Sequence, residues 1–223
     1  MAWTDDTEVY IISHNEKRKI SMVNRMEHFG ISHTLLPGVG PTDERYVSLD
    51  EKHKSSALIM LAHLDAIKYF LDNSDKNYAI ICEDDLKIKK SFSEDINDIH
   101  TDFVRMGLDI MLLGYLSMCN PRGTPNFEYV NKYTYHEVFH ELWGTQMYLL
   151  SRKYATWIIN TYTIEWTLTN GPFAADWTIT KNGNRCLAWP MLAIEDADSD
   201  GNGYKHSIQN VYVYSNFNRD DYI

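Results

Sequence analysis

The feature that most constrains this chain is an apolar run, Tyr78, Ala79, Ile80, Ile81 and Cys82, that passes directly into three acids, Glu83, Asp84 and Asp85. Apolar residues at consecutive rather than alternate positions predict a strand buried on both faces, as in sheets covered on both sides by helices. Three carboxylates crowded at the end of such a strand raise one another's pKa values, and a hard divalent cation relieves that cost. Magnesium or manganese takes oxygen ligands and meets nucleotide substrates through one or two protein carboxylates plus the substrate's own phosphate oxygens. Ligands of open α/β sheets bind just outside the carboxyl ends of the strands, where these acids fall. In an extended chain Glu83 and Asp85 point to one side and Asp84 to the other. Asp85, nearest the mouth, is therefore the first choice of metal ligand, with Glu83 on its side and Asp84 bracing the turn. A solvated acidic turn that caps the next helix is the plain alternative.

The surrounding pattern predicts where that strand sits. Residues 8–13 read as a strand ending in small polar residues, and Ile20, Val23 and Met26 fall near helical spacing over 16–28. Gly30 closes that helix, and Thr34, Leu35 and Leu36 precede a Pro37–Gly38 turn, giving a β-α-β opening. Over 50–72 the residues Leu58, Leu61, Leu64, Ile67 and Phe70 recur every third position, which predicts a long helix packed on the sheet. A helix capped by Ser93 is expected to about Met106, then a buried strand over 109–114. The alternation weakens afterwards: prolines and a glycine over 120–134 predict a loop and an irregular antiparallel section. A strand over 146–151, helices over 153–161 and 174–181, and a polar tail from Glu195 complete the reading. The result is an α/β chain with a Rossmann-like mixed sheet flanked by helices, forming a single domain over 1–223.

Charge and composition narrow the partners. A formal charge of −10 on 223 residues argues against nucleic acid or anionic lipid as the main partner. No run approaches the roughly 20 apolar residues of a membrane-spanning helix, and the start lacks a basic-then-apolar leader, so a cytoplasmic protein is expected. Cys82, Cys119 and Cys186 form no CxxC pair and leave an odd thiol, which predicts reduced, buried cysteines rather than a disulfide framework. The abundance of Asn, Lys, Ile and Tyr fits an AT-rich genome, such as that of a large DNA virus acting in its host's cytoplasm or of a low-GC bacterium.

Several motifs in order then carry a resemblance. The string YAIICEDDL at 78–86, the strand at 9–13, His63 on the helix before the acids, the strand-to-helix segment 144–155 and the later Ala175–Asp176–Trp177 together resemble glycosyltransferase family 25, the lipopolysaccharide and procollagen galactosyltransferases. That family's Ser-His pair is matched only at its histidine, since Ala62 stands before His63. The resemblance implies a GT-A type fold, with a nucleotide-sugar-binding half at 1–115 and an acceptor half and C-terminal tail at 116–223. It implies a UDP-sugar donor, Mn²⁺ (or Mg²⁺), and transfer of a hexose, galactose or glucose, with inversion, to a hydroxyl of a glycan or glycosylated-protein acceptor.

Its residues map onto Asp85, with Glu83 and the late His206, as metal ligands and onto Asp176 as the base that takes the acceptor proton. The donor would meet Ser13, His14, Asn15, Arg18, Glu83, Asp84 and Lys205, with Gly38 and Val39 letting backbone come close to the nucleotide base. Trp143, Trp166 and Trp177 offer stacking faces for a sugar, although each taken singly reads first as core. His63 reads as a hydrogen-bonded histidine beneath the site.

Three other readings compete. The string HEVFH at 136–140 matches HExxH, which on a helix places two imidazoles on one face for zinc and would make the chain a metallohydrolase. Its aromatic and β-branched approach predicts a strand instead, which turns Glu137 away from the two histidines. Residues 196–201 begin like an EF-hand loop, but Ser207 stands at the twelfth position where a bidentate glutamate is needed. The incomplete Ser-His pair also leaves open a catalytically silent sugar-nucleotide-binding relative. Oligomeric state is not legible.

Overall fold

The computed structural model describes residues 2–40, 42–47, 54–116, 127–129, 134–137, 143–170, 173–196 and 218–223. Lys205, His206, His140, Cys119 and the acids Asp198 and Asp200 lie outside them, as do Pro121 and Pro125.

The opening β-α-β unit is present: β1 (Thr7–Ser13), α1 (Glu16–His28) and β2 (Thr34–Pro37), with β1 and β2 parallel. Gly30 takes a positive φ of 65° after α1, the left-handed geometry that a helix terminus followed by a turn requires. After the short α2 (Glu44–Val47), α3 (Lys54–Asn73) crosses the sheet and returns the chain to β3 (Tyr78–Glu83), parallel to β1. There follow β4 (Leu86–Ile88), α4 (Phe92–Arg105), β5 (Ile110–Leu116), β6 (Phe127–Tyr129), β7 (Thr134–Glu137) and β8 (Trp143–Ser151). The chain then forms α5 (Arg152–Thr161), α6 (Ile164–Thr169), α7 (Ala175–Thr180), β9 (Arg185–Ala188) and β10 (Ala193–Glu195).

Eight strands form one mixed sheet in the order β2-β1-β3-β8-β5-β9-β7-β6, and β4 pairs with β10 in a small antiparallel sheet. The apolar run of β3 is buried on both faces as its sequence requires, yet only one neighbour is parallel: β8 inserts antiparallel between β3 and β5. A strand from the second half of the chain thus sits at the centre of the sheet. On one face Tyr10, Ile12, Ile81, Tyr148 and Leu150 pack against α3, α5 and α7. On the other, Val9, Ile11, Ile80, Cys82 and Leu149 pack against Met22 and Met26 of α1 and Phe92, Ile96, Ile99 and Phe103 of α4. Alternation along each strand sends successive residues to opposite cores, so the sheet is covered on both sides. This is the expected Rossmann-like mixed sheet, flanked by helices.

One expectation needs correction. The fourth helix begins at Phe92, with Ser91 rather than Ser93 at its N-cap, because the Ser91 carbonyl accepts the first helical bonds, from Glu94 N at 3.0 Å and Asp95 N at 2.9 Å. Residues 134–137 form strand β7, paired with β9 through His136 and Cys186, so the start of HEVFH is extended, as its aromatic approach predicted, rather than helical. Cys82 and Cys186 are free thiols inside the core. Among the described residues no helix is long and apolar enough to cross a membrane.

Candidate functional site

The parallel register sets Ile12 opposite Glu83, which carries Ser13 alongside Asp84 at the carboxyl end of the sheet. Ser13 Oγ donates to Asp84 Oδ2 at 2.5 Å. The turn after β1 is tied to β2 by Gly38 N donating to Ser13 O at 2.8 Å. A Cβ at Gly38 would stand 3.2 Å from His14 Cβ and 3.3 Å from His14 Nδ1, so the missing side chain is what admits the exposed imidazole across the end of β2. Val39 is buried in the core facing α3, leaving its backbone as the part a ligand can meet.

Asn15 caps α1: its Oδ1 accepts from Lys17 N at 3.0 Å and Arg18 N at 3.2 Å. That cap fixes the first turn and with it Arg18, whose Nη1 donates to Asp85 Oδ2 at 3.1 Å and lies 3.7 Å from Asp84 Oδ1. The three acids consequently divide differently from an ideal strand. β3 ends at Glu83 and the chain bends at Asp84 and Asp85, so these two share Arg18 while Glu83 turns to the α3 side. The expected pairing of Glu83 with Asp85 on one side is corrected by that bend, since side-chain alternation holds only while the chain stays extended.

Glu83 Oε1 accepts from Thr145 Oγ1 at 2.7 Å and lies 3.5 Å from His63 Nε2. His63 is buried on α3, with Nδ1 3.0 Å from the Tyr148 hydroxyl. The side chains of Glu83, Asp84 and Asp85 retain 33%, 5% and 17% of their surface, so Asp84 is a brace while Glu83 and Asp85 can touch a ligand. Burial pushes the Asp85 carboxyl up to about 8, and the charge of Glu83 pushes in the same direction against Arg18. For Glu83 burial pushes upward too, but it is outweighed by hydrogen bonding to His63, the imidazole's charge, Thr145 and Arg18, which hold it below the usual carboxylate range. A cation beside Asp85 would remove the penalty for its ionisation.

A clasp closes this end of the sheet. Asp196, just past β10, donates its backbone N–H to Asp85 O at 2.6 Å, and its carboxylate is paired with Arg25 of α1. Arg25 Nη1 also donates to Leu86 O at 2.6 Å. Asp176, on α7, is half-buried and lies within the field of both Glu83 and His63; burial first, then the Glu83 charge, raises its carboxyl. Trp177 is partly exposed with Lys181 Nζ 4.0 Å from its ring centroid, whereas Trp166 packs between Tyr162 and Phe173.

Ser13, Asn15, Arg18, Glu83, Asp84 and Asp85 thus converge, with Asp176 on the α3 side of the acids; Lys205 and His206 fall outside the described residues. Sequence reasoning missed Thr145, Gln146 and Arg25, and it weighed Asp196 only within the Asp-x-Asp strings of 196–200, as a metal or donor acid rather than as Arg25's partner. The signal for the first two was a polar pair heading the apolar run 147–150; the clasp had none, because its partners are 171 residues apart in the chain. Among the described residues no three histidine, cysteine or carboxylate groups cluster as a ready-made metal cage.

No family model and no curated relative matches the sequence. The chain is similar in structure to A197 from STIV, with 13% identity, 84% of this chain and 82% of that chain covered, and a TM-score of 0.50. A glycosyltransferase involved in the glycosylation of the major capsid of PBCV-1 gives a TM-score of 0.49 at 9% identity, over 87% of this chain and 97% of that one. A UDP-glucose pyrophosphorylase complexed with UDP-glucose gives 0.40 at 7% identity, over 93% and 81%. At these identities the likeness to A197 shows a shared fold.

Proposed function

We propose that this chain is an inverting, metal-dependent glycosyltransferase that moves a hexose, galactose or glucose, from a UDP-sugar to a hydroxyl of a glycan or glycosylated-protein acceptor. The observation that carries the reading is the meeting of the β1–α1 turn with Asp84 and Asp85, where Arg18 bridges two acids at the carboxyl end of parallel strands. Cation-assisted nucleotide sites use one or two protein carboxylates and leave the remaining positions to phosphate and water, so a site without a protein cage fits Mn²⁺ or Mg²⁺. Asp85 is the proposed ligand, assisted by His206, while Glu83, turned to the α3 side, is left to the donor. The cation, when bound, neutralises charge on the diphosphate leaving group.

The chain's own groups supply the rest. Arg18, turned from Asp85, offers its planar fork to a diphosphate oxygen, with Lys205 assisting. Ser13 and Asn15 hold the turn through Asp84 and the α1 cap, and the N-terminus of that helix favours negative charge. His14, Gly38 and Val39 border the position of the nucleotide base. Asp176, raised by burial, is the carboxylate proposed to take the proton from the acceptor hydroxyl. Calorimetric titration tests the reading: UDP should bind with Mn²⁺ and far more weakly without it, and Asp85→Ala should remove the Mn²⁺ dependence. Equal binding with and without the ion in both proteins would sink it. UDP release across a panel of UDP-sugars then names the donor.

A further inference from the structure

Gln146 of β8 is a buried amide, 8% exposed, whose Oε1 has no hydrogen-bond partner among the described residues. Leaving such an acceptor dry costs stability, and natural chains retain the cost mainly where a ligand or water completes the group. Its location is defined by the sheet. The last antiparallel pair between β3 and β8 is Cys82 with Met147, so one step further Gln146 faces Glu83 across the strands. Both lie on the face of Ile81 and Tyr148, beneath α3 and α7, and α7 packs on β8 and α3. Thr145 Oγ1 bonded to Glu83 Oε1 at 2.7 Å confirms that the two strands remain in reach there.

We infer that Gln146 and Glu83 form the pocket for the transferred hexose, with Gln146 Oε1 accepting one ring hydroxyl and the Glu83 carboxylate accepting its neighbour; this rests on the glycosyl-transfer reading above. The chemistry selects that ligand. Two acceptors side by side, one of them anionic, repel a phosphate and call for adjacent O–H donors, which a sugar ring presents and a diphosphate lacks. The cationic group lies across β3 from them: Arg18 stands on the β1 side with Asp84 and Asp85, whereas Gln146 and Thr145 stand on the β8 side. A nucleotide sugar with its diphosphate at Arg18 therefore extends its sugar over Glu83 toward Gln146 and Asp176. Gln146 is a specificity-determining residue in this arrangement, because an inverted hydroxyl would leave its Oε1 unpaired.

The test compares wild type with Gln146→Met, which keeps length and removes the amide. With Mn²⁺ present, UDP should bind both proteins equally while the affinity for UDP-galactose or UDP-glucose falls about tenfold in the variant, as loss of one buried hydrogen bond predicts. The thermal midpoint of the ligand-free variant should be unchanged or higher, since an orphaned polar atom has been removed; a structural amide would give a lower midpoint and equal losses for UDP and UDP-sugar. Either that pattern or an unchanged UDP-sugar affinity, as for a pocket holding a bound water alone, overturns the inference. Should UDP fail to bind wild type, the transferase reading fails separately. Saturation-transfer NMR with methyl galactoside and methyl glucoside then decides the pocket, whose signal must appear in wild type and weaken in Gln146→Met.

Discussion

Gly114 tests how the site is held. It lies on β5 between two register shifts against β8, and a Cβ built on it would stand 2.8 Å from the carbonyl oxygen of Ala193 and 3.2 Å from Ala193 Cβ. The nearest atom is backbone, so no side chain can rotate away, and relief requires β10 to move off the sheet. β10 is held there by Leu192 N donating to Leu113 O at 2.8 Å, and it runs directly into Asp196, whose N–H meets Asp85 O at 2.6 Å. Overpacking of this kind costs about 1–3 kcal/mol. Gly114→Ala should therefore lose about 2 kcal/mol, which for a chain of this size moves the thermal midpoint down by roughly 4–8 °C.

The same displacement pulls on the clasp over Asp85, so the Mn²⁺-dependent affinity for UDP should fall together with stability. Gly40→Ala is the control: a Cβ there meets nothing within 4 Å, and stability should hold or rise by about 0.5 kcal/mol through the unfolded chain. Urea denaturation of the three proteins measures the stabilities, and calorimetric titration with UDP and Mn²⁺ measures the affinities. A Gly114→Ala protein within about 0.5 kcal/mol of wild type would refute the close approach of β10 to β5, and with it the proposed route from the sheet to the acids.

Arg25→Met breaks the buried pair with Asp196 and the bond to Leu86 O, and should cost about 3 kcal/mol in urea denaturation, because a buried carboxylate loses its guanidinium. His63→Phe removes partners from both the Tyr148 hydroxyl and Glu83; a loss of about 2 kcal/mol is expected, with the Mn²⁺-dependent UDP affinity read alongside by calorimetry. Asp43, beside Arg45, is held down to about 2 by the guanidinium's hydrogen bonds. A folded-state pKa below the unfolded value means that its stabilisation is complete above about pH 4 and lost as pH falls through about 2. Solvent access keeps that contribution under about 1 kcal/mol, so the gap between wild type and Asp43→Asn in urea midpoints should be small at pH 7 and close as pH falls below about 2.

What the sequence disclosed and what it hid follow one physical division. β1, α1, α3 and β3 were legible because each is long enough to repeat its period, and each buries a face whose apolar residues can be counted, as with Leu61, Leu64 and Ile67 on α3. β4, β9 and β10 are three or four residues long, too short to display a period, and they exist because partners distant in sequence hold them. The central antiparallel place of β8 was hidden for a related reason. Met147, Tyr148, Leu149 and Leu150 read as a doubly buried strand in either direction, and only the pairing with β3 and β5 fixes its sense.

The acids show the same division within one site. Their position at the end of β3 was local information, carried by the apolar run before them. Their allegiance was not local: Asp84 belongs to Ser13, Asp85 to Arg18 and Glu83 to Thr145 and His63, partners contributed by four different elements. An extended chain would have set Glu83 and Asp85 together, but the bend after Glu83 divides the triplet across β3. That division gives the site a cationic side at Arg18 and an acceptor-rich side at Gln146, an asymmetry suited to a ligand that is an anion at one end and a polyol at the other.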